Sequence, residues 1–116
     1  MAHQLSAEMQ DCIDRCQSCQ EACLETMSYA LDIGGKHAET EHIRMLIACA
    51  EICDTSARFM LMGSSLHTST CAVCAEVCEA CARNCDELGD DPTMQRCAET
   101  CRRCAESCRR MAKAVV

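Results

Sequence analysis

Hydrophobic and polar positions recur along this chain with the period of an α-helix, and cysteine occupies many of the apolar ones. In the third apolar stretch the cysteines follow one another at steps of three, four, three and four. Residues three and four apart lie above one another on a helix, so these steps predict a single cysteine stripe. The stripe comprises Cys71, Cys74, Cys78, Cys81 and Cys85. The rhythm returns in Cys12, Cys16, Cys19 and Cys23, in Cys97, Cys101, Cys104 and Cys108, and in the pair Cys49 and Cys53.

Capping residues and helix breakers bound four predicted helices. The predicted ranges are Ser6 as N-cap to about Asp32, then about Glu39 to Met62, Ser69 to Leu88, and Pro92 to about Lys113. The connections are short, and the break between the second and third helices at Gly63 predicts antiparallel neighbours. The chain is therefore predicted to be all-α, with one domain over residues 1–116. We expect an antiparallel four-helix bundle with a cysteine-lined core.

The second predicted helix is poorer in cysteine and apolar on more than one side. Its stripe reads His42, Leu46, Cys49, Cys53, Ser56 and Met60. Further apolar residues lie away from that stripe: Ile43, Ile47, Ala50, Ile52 and Phe59. A helix of this kind is usually covered on more than one side. We expect its second face to meet another helix flank or another subunit.

Composition and charge narrow the function classes. The formal charge of −7 argues against general nucleic-acid binding, which needs a positive surface. No apolar run approaches the roughly 20 residues that span a membrane. The first residues, Met1 to Ser6, lack the basic and apolar regions of an export signal, so we expect a cytoplasmic protein with reduced thiols.

Several roles for fifteen cysteines compete. Cysteine packs as a small hydrophobe, but leucine or alanine would fill a core without the risk of oxidation. Disulfides are disfavoured by the odd count and by Cβ vectors that run side by side on one helix. A zinc site needs four ligands and would leave most thiols unused, and no iron–sulfur ligand spacing matches. A zinc or mixed-metal buffer, or a thiol redox or oxidant-scavenging protein, remains an alternative.

Cu(I) suits the pattern best, because soft thiolates select it and methionine thioethers are the next-best soft donors. One ion can sit between two sulfurs, and one sulfur can bridge two ions. If each ion takes two thiolates and each thiolate serves two ions, the number of ions approaches the number of cysteines. Each Cu⁺ replaces one thiol proton, so a loaded interior stays near neutral. The predicted cargo is several Cu(I) ions, with all fifteen cysteines as ligands.

Neutral donors lie at both ends of the predicted bundle. One end collects Met27, His42, Met45 and Met94, and the other collects Met9, Met60, His67 and Met111. Weaker donors at a mouth would capture an ion and pass it inward to thiolates. We take Met27, His42 and Met45 as candidate uptake ligands, because the second helix has no cysteine in its opening turns there.

Catalysis is not expected. A reactive cysteine needs a positive neighbour, a base and a substrate pocket. Only His67, four residues before Cys71, lies within a helical turn of a cysteine. The pair alone does not make a catalytic site, so we expect a binding protein and not an enzyme.

These patterns resemble a known family, the bacterial copper storage proteins. The resemblance rests on the Cys71–Cys85 and Cys97–Cys108 spacings, on the Cys-Ala-Glu repeats at 74–76, 97–99 and 104–106, and on the Cys12–Cys23 set. It implies a homotetramer of four-helix bundles, each holding many Cu(I) ions in its own core. The lack of an export signal resembles the cytosolic branch of the family.

Overall fold

The computed structural model describes residues 5–113, which form four long helices and no strand within that range. The helices are α1 (Ala7–Ile33), α2 (Thr40–Leu61), α3 (His67–Asp86) and α4 (Pro92–Ala112). A 3₁₀ turn over Gly35–Ala38, which was not predicted, joins α1 to α2. The helix ends agree with the predicted ones to within two residues. Residues 1–4, on which most of the export-signal expectation rests, lie outside the described range.

The N-terminal ends of α1 and α4 are set by capping residues that the sequence shows. The Ser6 side chain accepts a hydrogen bond from the Met9 backbone N–H at 3.0 Å and so caps α1. At α4, an Asp91 carboxylate oxygen accepts from the backbone N–H of Thr93 at 2.8 Å, and Pro92 occupies the first turn. Such caps satisfy amide groups that have no partner inside the helix.

The four helices pack in a ring, with each helix against its two neighbours in chain order and α4 closing against α1. Sulfur contacts show the antiparallel direction: Cys12 meets Cys108, whereas Cys23, farther along α1, meets Cys101. The bundle measures 52 × 21 × 20 Å, so it is a rod with one continuous core along its axis. The predicted all-α four-helix architecture is confirmed.

Asp91 also ties three parts of the chain together at one end of the bundle. Its carboxylate accepts a hydrogen bond from the Tyr29 hydroxyl at 2.7 Å and lies 2.9 Å from Nε2 of His37 in the 3₁₀ turn. Burial favours a raised pKa, but the hydrogen bonds from Tyr29, His37 and the backbone N–H groups of Thr93 and Met94 outweigh it. The pKa of Asp91 is therefore lowered to about 2, and the carboxylate stays charged at neutral pH.

Among the helices of residues 5–113, none is both long enough and apolar enough to cross a membrane.

Candidate metal centre

All fifteen cysteines lie inside the bundle, and none is more than 2% exposed. The helical period explains this, because steps of three and four keep every sulfur of a helix on the side facing the axis. The cysteines contributed by the four helices meet there with no aromatic residue among them. The core of this protein is consequently a column of sulfur.

The sulfurs are grouped into clusters that share members. Each group below has all its Sγ atoms within 4.8 Å of one another. The groups are Cys12, Cys71 and Cys108; Cys16, Cys74, Cys104 and Cys108; Cys19, Cys53, Cys78 and Cys104; and Cys19, Cys23, Cys49 and Cys101. Cys108, Cys104 and Cys19 each belong to two successive groups, so the clusters form one connected chain along the axis.

The sulfur separations suit a metal better than a disulfide. Neighbouring Sγ atoms lie 3.6–4.0 Å apart, for example Cys49 to Cys78 at 3.6 Å and Cys49 to Cys101 at 4.0 Å. A disulfide would need about 2.05 Å. Two sulfurs each about 2.3 Å from a shared ion would be about 3.8 Å apart in a tetrahedron and about 4.0 Å apart in a trigonal plane. The thiols are free, and their spacing already matches that of metal ligands.

Three cysteines, Cys81, Cys85 and Cys97, stand outside these groups. They lie toward the end of the bundle where α2 presents Leu46 instead of a cysteine, and Leu46 is completely buried. The predicted shortage of sulfur on α2 therefore has a structural counterpart. Sulfur is densest from the middle of the bundle toward the opposite end, and thins out around Leu46.

Mutual hydrogen bonding and burial raise the pKa of nine of the fifteen thiols, and these nine hold their protons at neutral pH. Hydrogen bonds with Cys104 and Cys19, together with burial, raise the pKa of the Cys53 thiol. For Cys71, the hydrogen bond with Cys108 acts downward, but the hydrogen bond with Cys12 and burial prevail and raise the pKa to about 12. A buried thiolate is costly unless a cation compensates its charge. Metal binding to this core must therefore displace protons.

Each end of the core carries a buried histidine with one unpartnered ring nitrogen. Nδ1 of His42 donates to Oδ1 of Asn84 at 2.5 Å, and Nδ1 of His67 donates to the Ser64 carbonyl at 2.8 Å. In both rings Nε2 is buried and has no hydrogen-bond partner. With the proton on Nδ1, Nε2 carries a free lone pair, which is the form that ligates metals.

The surroundings of His42 could only partly be predicted. His42 and Asn84 line a cavity of about 230 Å³ whose wall includes three carboxylates, Glu39, Glu41 and Glu87. Asn84 was not among the predicted site residues, although its position three residues after Cys81 places it near that end of the core.

The two methionines predicted with His42 are both half-buried. Met27 packs against the core cluster. Met45 also packs against it and lines an open groove between α2 and α3, with Val77 and Ala80. Two other methionines, Met94 and Met60, are fully buried, and Sδ of Met60 lies 3.9 Å from Sγ of Cys71. Methionine sulfur therefore borders the cysteine column at both ends.

This architecture is shared with known proteins. The model of the family described as copper storage protein matches residues 5–113. A crystal structure of the Nmul_A1745 protein from Nitrosospira multiformis is 48% identical, with a TM-score of 0.86 over 90% of this chain and 94% of that one. No protein of curated function matches.

Two solved copper storage proteins are also similar. The Cu(I)-bound copper storage protein BsCsp3 is 35% identical, with a TM-score of 0.84 over 90% of this chain and 98% of that one. Apo copper storage protein 3 from Bacillus subtilis is 36% identical, with a TM-score of 0.80 over 89% and 97%.

The protonated thiols predict how the stability of the metal-free protein depends on pH. Thiols of the unfolded chain ionise near pH 9, whereas a thiol such as Cys71 keeps its proton until about pH 12 in the fold. Above pH 9 the unfolded state binds fewer protons, so the free energy of unfolding falls. The loss is about 1.4 kcal/mol per pH unit for each such thiol.

Anaerobic urea unfolding from pH 7 to pH 10.5, followed by circular dichroism, measures this. The midpoint should stay nearly level below pH 8 and drop steeply above pH 9. A midpoint unchanged at pH 10 would mean that the thiols are not held protonated.

Proposed function

The chain belongs to the copper storage protein family, and on this premise we propose that it binds and stores many Cu(I) ions in its bundle core. The observation that carries the proposal is the chain of cysteine clusters linked through Cys19, Cys104 and Cys108. A shared sulfur can bridge two ions, which builds a multinuclear thiolate array. All fifteen cysteines serve as ligands, and no catalytic step is involved.

Zinc fits the linked clusters less well. A closed structural zinc site takes four ligands for itself, whereas the adjoining groups here compete for Cys19 and Cys104. A thiol redox role is disfavoured by burial, because oxidants act on exposed thiolates. The inaccessible thiols of this core are poorly placed to attack an oxidant, but they are good acceptors for an ion that brings its own positive charge.

The apo bundle is expected to stay folded. The cysteines pack in one core with Ile13, Leu46, Met60 and Met94, and burial of neutral thiols carries little cost. Structures of an apo and a Cu(I)-bound relative both match this fold over about nine-tenths of the chain. We expect copper to enter a preformed site, in contrast to zinc fingers, which fold only with metal.

We place the protein in the cytoplasm and expect a homotetramer, as the family resemblance implies. Apolar side chains remain uncovered on the single bundle: Leu24, Leu31, Ile33, Ile47, Leu61, Met62, Leu66 and Val73 are 43–69% exposed. Leu24, Leu31 and Ile33 lie on α1. Ile47 and Leu61 lie on α2, the helix that the sequence shows to be apolar on more than one side. Exposed apolar surface of this kind commonly marks a protein interface.

Anaerobic titration with Cu(I) against a competing chelator tests storage directly. Saturation near the cysteine count is expected, with release of about one proton per ion because each Cu⁺ displaces a thiol proton. Cys78→Ser and Cys101→Ser should each lower the capacity by a small step, since neighbouring sulfurs still connect the array. Saturation at one to four ions, or loss of all binding in either variant, would contradict the proposal.

The buried Leu46, which stands where α2 lacks a cysteine, allows a variant that should increase the Cu(I) capacity. Leu46→Cys extends the stripe into the core and should raise the capacity by about one ion. Ile47→Cys, at the neighbouring position that is 44% exposed, adds a thiol outside the core and should leave the capacity in competition with the chelator unchanged.

Uptake is proposed to begin at the end of the bundle that carries His42, with Met27 and Met45. The free Nε2 of His42 lies beside a cavity whose wall has three carboxylates and one lysine, Lys36, and this excess of negative charge attracts cations and supports the choice. His42→Ala should slow uptake of Cu(I) supplied as its acetonitrile complex by several-fold and leave the final capacity unchanged. His67→Ala is the matched variant at the opposite end. Equal slowing in His42→Ala and His67→Ala would contradict the proposal that uptake begins at the His42 end.

The assembly can be tested independently of copper. Light scattering coupled to size exclusion should give four times the mass of the chain. Ile47→Glu places a charge on the exposed apolar face and should lower that mass, whereas Gln95→Glu, which adds the same charge at an exposed position of α4, should not. A wild-type mass equal to one chain would refute the tetramer.

A further inference from the structure

One side of the bundle has a polar groove that reaches a cysteine of the core. The groove follows the seam between α1 and α4 and encloses about 320 Å³. It is lined by Ala22, Glu25, Thr26, Thr93, Arg96, Cys97 and Thr100. Its volume is in the range of small-molecule sites.

Cys97 is buried like the other cysteines, but it is the one cysteine that lines this groove. It is 2% exposed, the largest value among the fifteen, and thirteen of them are fully inaccessible at 0%. It also stands outside the close sulfur clusters. An ion bound by Cys97 is therefore at the edge of the column, with the interior sulfurs next to it.

The rim of the groove carries one cation and one anion that are not neutralised by ion pairs. Arg96 donates only to the Thr93 hydroxyl, at 3.3 Å, and neither Arg96 nor Glu25 forms an ion pair within residues 5–113. The next groove along the seam is different, because its two arginines are already paired: Arg15 with Asp11 and Arg103 with Glu99.

The charged, hydroxyl and thiol groups of the groove together indicate which kind of ligand it would bind. A guanidinium recognises a carboxylate, a carboxylate recognises an ammonium group, and threonine hydroxyls accept or donate hydrogen bonds to a peptide. A thiol at the base of the groove would face the thiol of such a ligand. The complementary molecule is a zwitterionic thiol of amino-acid or short-peptide size.

We propose that, in addition to the His42 end, this groove is a docking site for Cu(I) carried by a small zwitterionic thiol peptide, with Arg96 and Glu25 holding the peptide and Cys97 receiving the ion. The proposal rests on the copper storage function and names the class of donor. The step is a ligand exchange without redox change. The bond between copper and the donor sulfur breaks, a bond to Sγ of Cys97 forms, and a proton that Cys97 shares with the neighbouring core thiols passes to the departing thiolate.

Stopped-flow transfer from anaerobic Cu(I)–glutathione to the apo protein tests the site. The wild-type rate should saturate with donor concentration, and S-methylglutathione, which lacks the free thiol, should compete. Arg96→Ala and Glu25→Gln should each raise the half-saturating concentration about five- to tenfold, because each removes a charged contact to the peptide. Arg58→Ala removes the same charge from an exposed site near the other end of α2 and is the control. Transfer from the acetonitrile complex should be unaffected by Arg96→Ala.

A second pair of variants examines the receiving sulfur. Cys97→Ser and Cys85→Ser each remove one thiol near the same end of the bundle, and should lower the capacity alike. Transfer from Cu(I)–glutathione should slow markedly more in Cys97→Ser.

The groove assignment is overturned if transfer does not saturate, or if Arg96→Ala and Glu25→Gln behave like Arg58→Ala while the copper capacity is normal. Failure of the wild type to take up copper from any donor would instead reject the storage function itself.

Discussion

The constraint on which this structure depends is the match between the helical period and the spacing of sulfur around a metal. Steps of three and four residues align the thiols on each helix, and antiparallel packing brings four such lines to a common axis. The resulting separations of 3.6–4.0 Å follow from backbone geometry and helix packing, before any ion is present. The ligands are held in position by α-helices and not by loops, which distinguishes this core from short zinc knuckles.

Charge imposes the second condition on the core. Fifteen ionised thiols could not be buried together, so burial and mutual hydrogen bonding keep a thiol such as Cys53 protonated. A monovalent cation that displaces one proton leaves the net charge of the interior unchanged. A divalent ion bound by bridging thiolates would alter that balance unless additional thiols ionised. The chemistry of a sulfur core therefore favours Cu(I) through softness and through charge conservation together.

The helices, their ends and the inward direction of the cysteines could be predicted from sequence, because each depends on local signals: periodicity, caps and glycine breaks. The features that were missed depend on residues far apart in the chain. The 3₁₀ turn is tied down by Asp91, which lies 54 positions after His37. The pairing of His42 with Asn84, and the seam that reaches Cys97, likewise need the relative positions of two helices. The sharing of Cys104 between clusters is set by the axial register of all four.

The sharing of sulfurs between clusters has a thermodynamic consequence. When Cys104 binds an ion in one group, the donor strength and the remaining valence that it offers to the next group both change. The groups are coupled in the same sense as interacting acids, whose apparent constants describe the ensemble and not a single residue. A dissociation constant measured for this protein would thus describe a degree of filling. The free concentration of the metal that the protein maintains would drift gradually with its load, as the pH of a polyprotic buffer does.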